Sequence, residues 1–337
     1  MLQKLLGVTA AIGLLLAAAI LPVDTLVGTA GAQALTPVTV RLAFNYNGHR
    51  SPYLLGKDKG YYAEEGLDVT VLEGKGVTSS MQLVASKQDT FAVVDPPSLM
   101  LGVAQGMPIR QVLQIYQISP NALISWESAG IKKPADLVGK TVATLQGDTT
   151  TTMLYAMLAK NGVDAQKVKI VTSDGGTRNQ TFLGKRSEAI TGFPNDSYLS
   201  LKATADAPIV YFTYADFGVD TMGDGIAANM DTIKANPKLV AGFVRATLKA
   251  YKYALANPEE SIASLAKAAP SIKREVEIEK LKATARLLDS ADTKANGIGY
   301  SSKDKWVATQ ALMLQYGGLT KAVDDVTVYY TNEFLPK

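Results

Sequence analysis

From Val38 to Phe212 the chain alternates short strand-like runs with helix-like runs, and this alternation restricts the fold more than any other feature. Val38–Phe44 (VTVRLAF) puts an apolar side chain at every second position, the period of a strand. Pro52–Glu65 reads as a helix closed by Gly66 just past its end. Leu67–Leu72, Thr90–Val94 and Ile109–Tyr116 read as strands, separated by helical Thr78–Lys87 and Ser98–Gln105. A second set follows Gly130: strands Lys140–Leu145, Val168–Thr172, Ser187–Thr191 and Pro208–Phe212, with helices at Thr149–Asn161, Gln180–Arg186 and Ser197–Thr204. Strands joined through helices cannot pair as hairpins; they form mostly parallel sheets with helices on both faces. The fold class expected is therefore α/β, built from two such sets.

Beyond the second set the pattern changes. Asp216–Gly225 (DFGVDTMGDG) is rich in Gly and Asp and reads as a connection between units. Asn236-Pro237 and Asn257-Pro258 each place an N-cap residue before a proline suited to the first helical position. Leu239, Val240, Phe243, Val244, Tyr251 and Leu255 then recur at helical spacing, which predicts an amphipathic helix over Pro237–Ala256. Asp304–Tyr316 predicts another.

The first residues have a different character. Lys4 precedes an apolar run, Leu5–Val23, and then a small-residue stretch ending Ala32-Gln33-Ala34. A basic start, an apolar middle and an A-x-A site form a secretory signal peptide over residues 1–34, cut after Ala34; the competing reading is an uncleaved anchor. The protein expected is exported, in a bacterial periplasm.

Composition narrows the chemistry. The chain has no Cys and one His, His49, so disulfides, Cys nucleophiles and paired-His zinc sites are excluded, and neither a metal nor a cofactor is expected. The net charge of +3, without a Lys/Arg run, gives no support to nucleic-acid binding.

Three segments carry a family resemblance. Arg41–Val69, with Lys59-Gly60-Tyr61-Tyr62 followed by Glu65-Gly66-Leu67-Asp68-Val69, resembles the opening of the NMT1/THI5-like solute-binding proteins of ABC transporters. Ala215–Ile226 and Asn236–Glu260 are similar to later parts of the same family, in the same order. The resemblance implies a type II periplasmic-binding-protein fold. Lobe I would comprise residues 35–124 plus 219–337, and lobe II residues 125–218. A two-crossing hinge would join them, with the ligand in the cleft. It implies a monomer that delivers a small molecule to a membrane permease. The ligand expected is a planar nitrogen heterocycle such as a thiamine pyrimidine precursor; the alternative is a small anion, such as a sulfonate, an aromatic carboxylate or nitrate. The THI5-type enzymes of the same family rely on a Cys-rich motif, which a chain without Cys cannot have.

In open α/β sheets ligands sit beyond the carboxyl ends of strands, beside helix N-termini, and that rule selects loops here independently of the family. Asn45–Tyr53 offers Asn47, His49 and Tyr53, with Arg50 as either a cleft or a surface charge. Gly74–Ser80 (GKGVTSS) offers Thr78 and Ser79, which either meet a ligand or cap their own helix; its G-x-G lacks the third glycine of a dinucleotide fingerprint. Asp95 either accepts from ring amines or caps the helix after it. Tyr116 and Tyr214 lie near the two crossings as candidates for stacking. The second set adds Gly147 and Thr149, Arg178, and Phe193, Asn195 and Asp196.

Overall fold

The computed structural model describes residues 34–146 and 148–336. The signal peptide expected over 1–34 and the ligand position expected at Gly147 fall outside the described residues, Ala34 excepted. The first part of the chain runs β1 (Thr36–Arg41), α1 (Ser51–Asp58), α2 (Tyr61–Glu64), β2 (Leu67–Leu72), α3 (Val77–Ala85), β3 (Phe91–Val94), α4 (Pro96–Ala104) and β4 (Ile109–Gln114). The second runs β5 (Ala122–Trp126), β6 (Thr141–Leu145), α5 (Thr149–Lys160), β7 (Lys169–Ser173), α6 (Gly175–Leu183), β8 (Ala189–Gly192), α7 (Leu199–Lys202) and β9 (Ile209–Thr213). The chain then returns through β10 (Gly225–Asn229) to α8 (Met230–Ala235), α9 (Pro237–Ala256), α10 (Pro258–Ala268), α11 (Arg274–Leu288), α12 (Ala291–Asn296) and α13 (Lys303–Gln315).

Two five-stranded sheets result, ordered β2-β1-β3-β10-β4 and β7-β6-β8-β5-β9. The two orders are the same, and each sheet has one antiparallel strand, β10 or β5, inserted between parallel ones. In both cases it is the strand that receives the chain from the other sheet. β4 and β9 end at the cleft, so the strand entered across the cleft must start there and run away from it. β3, β5, β8 and β10 are buried along their whole length, as central strands covered on both faces are. The division expected between residues 124 and 125 falls inside β5, because the crossing ends before Ala122.

Sequence pattern places most elements within a few residues, with informative exceptions. The single helix expected over Pro52–Glu65 is broken: Gly60 adopts φ 75°, a left-handed conformation that ends α1 and redirects Tyr61 and Tyr62 into the core. There Tyr62 stacks on Phe243 of α9, and Phe243 on Phe91 of β3. α9 spans Pro237–Ala256 as its periodicity indicates, but neither Asn236 nor Asn257 makes a side-chain cap bond to the helix it precedes. Asn257 instead donates its amide back to the Tyr253 carbonyl, 3.0 Å away. The helix expected from Gln180 begins at Gly175: Asp174 accepts from the Thr177 N–H at 3.0 Å and so offsets the low helix propensity of two glycines.

Candidate functional site: a polar cleft between two sheets

A cavity of about 800 Å³ opens between the carboxyl ends of the two sheets. The first sheet contributes Phe44, Tyr46, Asn47 and Arg50 from the loop after β1. The second contributes Asp148, Arg178, Phe193 and Asp196 from the loops after β6, β7 and β8, and Lys280 reaches in from α11. A recess of about 20 Å³ continues toward the crossings, lined by Arg50, Asp95, Asp148, Thr149 and Asp224 among others.

The two sides are bonded to each other around this space. Thr149 Oγ1 donates to Asp95 Oδ2 at 2.7 Å, and the Ser98 and Thr149 hydroxyls also meet. Lys280 Nζ lies 2.9 Å from Asp196 Oδ1 and 2.7 Å from Glu277 Oε1. Asn195 donates its amide to the Thr284 hydroxyl of α11 at 3.1 Å. Glu277 also accepts from the Gly48 N–H, which ties α11 to the loop that carries Asn47 and Arg50. Gly48 is required there: a Cβ would sit 2.0 Å from the Glu277 carbonyl oxygen.

Burial sets the charges. Burial raises the Asp95 carboxyl to about 6, against the bonds from Ser98 and Thr149. Burial likewise raises Asp148 and Asp224. Burial works on Asp196 in the same direction, but the Lys280 ammonium overrides it and holds this carboxyl well below the usual range. His49 is fully buried and its pKa drops to about 3, by burial and by the neighbouring Arg50. It is neutral at physiological pH, and neither ring nitrogen has a hydrogen-bond partner among the described residues.

The buried cations at the wall already face acceptors. One Arg50 terminal nitrogen lies 3.5 Å from Asp224, while its Nε has no partner among the described residues, and Lys280 is shared by Asp196 and Glu277. Arg178 donates to the Thr191 carbonyl at 2.9 Å and to Asn179 Oδ1, in the field of Asp148 and Asp196. Phe44, Tyr46 and Phe193 supply aromatic surface.

The sequence-derived candidates divide into three groups. Asn47, Arg178, Phe193 and Asp196 line the large cavity, and Asp95, Thr149 and Phe193 line the recess. His49, Tyr53, Tyr116, Asn195 and Tyr214 line neither; they are buried behind the wall. Tyr116 donates to the His49 carbonyl at 3.2 Å and Tyr53 packs edge-on against Tyr251, so these rings support the loop that carries Asn47 instead of offering a stacking face. Thr78 is exposed outside the cavity, and Ser79 donates to the Gly76 carbonyl at the start of its own helix. The glycines before it serve the backbone: a Cβ on Gly74 would lie 2.0 Å from the Leu42 carbonyl oxygen, and Gly76 sits at φ 123°. Lys280, Glu277 and Asp224 were not among the candidates. Glu277 and Lys280 belong to α11, a charge-rich helix, and only their spacing of three hints at a pair.

The sequence profile of the family described as "NMT1/THI5 like" matches residues 47–261. The riboflavin-binding protein RibY of Chloroflexus aurantiacus is 28% identical over 314 residues, covering 90% of this chain and 87% of that one. A formylaminopyrimidine-binding protein of Halalkalibacterium halodurans is 28% identical over 232 residues, covering 68% and 70%. A relative from Legionella pneumophila, 24% identical over 89% of this chain and 92% of its own, is named a 4-amino-5-hydroxymethyl-2-methylpyrimidine phosphate synthase. Among solved structures, the alkanesulfonate-binding protein SsuA of Xanthomonas axonopodis pv. citri superposes with a TM-score of 0.69 at 14% identity, covering 88% of this chain and 98% of that one. That likeness gives the architecture: two α/β lobes in the periplasmic-binding-protein fold.

Proposed function

The chain belongs to the NMT1/THI5-like family, and from that premise we propose that it is the solute-binding component of an ABC importer, exported with its signal removed after Ala34. It captures a neutral planar nitrogen heterocycle between its lobes and presents the closed form to a membrane permease. The crossings at 115–121 and 214–224 act as the hinge. Relatives named for riboflavin and for formylaminopyrimidine support this ligand class. The observation that carries it is the state of the wall: apart from Arg50 Nε, its buried cations face carboxylate, carbonyl or amide oxygens, beside three aromatic side chains. A strong anion needs donors that are still free; a neutral heterocycle needs aromatic surface and a few hydrogen bonds. The cavity of about 800 Å³ has room for a ring system of flavin size.

The protein binds and does not transform. A heterocycle bridging both lobes stabilises the closed form by its extra contacts there. A thermal-shift screen of residues 35–337 against riboflavin, aminopyrimidines, aryl sulfonates and nitrate tests this. At 100 times its Kd the ligand adds about 2.7 kcal/mol, which raises Tm by several degrees. A rise with sulfonate or nitrate alone overturns the ligand class, and conversion of the bound heterocycle to a new compound overturns the binding-protein reading.

A further inference from the structure

We propose that Asn47 sets specificity within this cleft by pairing its side-chain amide with an adjacent donor and acceptor on one edge of the ring. Such an edge is the N–C–NH2 of an aminopyrimidine or the NH–C=O lactam of a flavin-type ring. The inference depends on the heterocycle reading above and names the contact that reads it.

Three observations converge on this residue. Asn47 lines the large cavity and is only 9% exposed, and its Oδ1 is buried with no hydrogen-bond partner among the described residues. A buried acceptor left without a partner is costly, so a position of this kind calls for an outside group. Second, Asn47 occupies the N-cap position of the short helical turn Gly48–Arg50, where an Asn side chain ordinarily bonds its own turn, yet it makes no cap bond. Asp95, Asp174 and Asn229 make such a bond at their own helix starts, whereas Asn236 and Asn257 do not. The donors near Asn47 are satisfied by other groups: Glu277 takes the Gly48 N–H, and the Asn47 carbonyl takes the Arg50 N–H at 3.1 Å. Third, the backbone that carries the amide is pinned, because the Glu277 carbonyl occupies the space a Gly48 side chain would need.

Of the other carboxamides lining the cavity, Asn45 and Gln146 are exposed, and Asn179 Oδ1 already accepts from Arg178. Arg50 and Lys280 only donate, and the Tyr46 hydroxyl is engaged with the Val71 carbonyl at 2.8 Å. A carboxamide offers one acceptor and two donors side by side, and rotation about its last torsion exchanges them. Asn uses that pair bidentately on the donor–acceptor edge of adenine, and the same geometry fits the edges named here.

The test measures affinities by titration calorimetry for two matched pairs: riboflavin with 3-methylriboflavin, and 4-amino-2-methylpyrimidine with its 4-dimethylamino analogue. The methyl groups block the edge. The intact chain should bind the unblocked member of at least one pair about 10- to 100-fold more tightly than its blocked partner. Asn47→Ala, which leaves room for the methyl, should bring that ratio to about one by weakening the unblocked ligand. Comparison within the wild-type chain needs no folded variant. Equal binding of both members by the wild type, or full discrimination retained by Asn47→Ala, overturns the assignment to Asn47 and leaves the heterocycle reading in place. Binding of none of the four compounds overturns both.

Discussion

The two walls of the cleft are held in position by different means. On the first sheet's side, the loop bearing Asn47 and Arg50 is anchored by Glu277, whose carboxylate takes the Gly48 N–H from 229 residues away. On the second sheet's side, the turn bearing Arg178 is anchored by Asp174, which accepts from Thr177 three residues away. The first wall is buried and braced by side chains such as His49, Tyr53 and Tyr116. The second has its anchor in solvent. A distant anchor makes one wall depend on the whole tertiary structure; a local anchor lets the other keep its shape as a single helix start. Lys280 joins the two systems, touching Glu277 of the first and Asp196 of the second.

Changes to these anchors should follow that difference. Lys280→Met leaves the Asp196 and Glu277 carboxylates unpaired in poorly solvated positions, and loss of one partner of such a pair costs about 3–5 kcal/mol. Denaturant melts should show that loss, and ligand affinity should fall with it. Gly48→Ala drives a Cβ into the Glu277 carbonyl and should cost about 1–3 kcal/mol, with weakened binding as the loop shifts.

Acid probes the same wall. His49 falls to about 3 in the folded chain from an ordinary 6.5, so its contribution is complete above pH 6.5 and lost as pH drops. Asp95 rises to about 6 from 3.8, so its contribution is complete below 3.8 and lost as pH rises through 6. The two slopes oppose each other between pH 4 and 6. Asp95→Asn should expose the His49 slope, about 1.4 kcal/mol lost per pH unit on acidification, where the wild type is flatter. Melts at half-unit steps measure it, and equal slopes for both chains would remove the assignment. The smallest effect belongs to the second wall: Asp174→Ala removes an exposed cap, and Tm should move by about 3 °C or less with affinity nearly unchanged. A large loss of binding there would erase the contrast between local and distant anchoring.

Much of the architecture was legible. The strand Leu67–Leu72 and the helix Pro237–Ala256 have the limits their periodicity indicates, because apolar spacing reports which face is buried. The crossing strands β5 and β10 were missed, since ALISW and GIAAN lack alternation when both faces are covered. Site loops were legible as loops, because strand ends in α/β sheets define them, but individual residues within them were not. Asn47 and Tyr53 fall in one segment expected as a loop, yet Asn47 lines the cavity while Tyr53 lies in α1 and supports it from the core.

The sequence by itself determined the α/β alternation, the order of the elements and the absence of cysteine chemistry, since local propensity and composition are properties of neighbouring residues. Only the tertiary structure decided which polar groups the cleft presents. The backbone beside Asn47 is fixed by α11 pressing on Gly48, and the charge of the wall follows from Lys280 meeting Asp196 across the two lobes. Such contacts between distant segments have no signature in either segment alone.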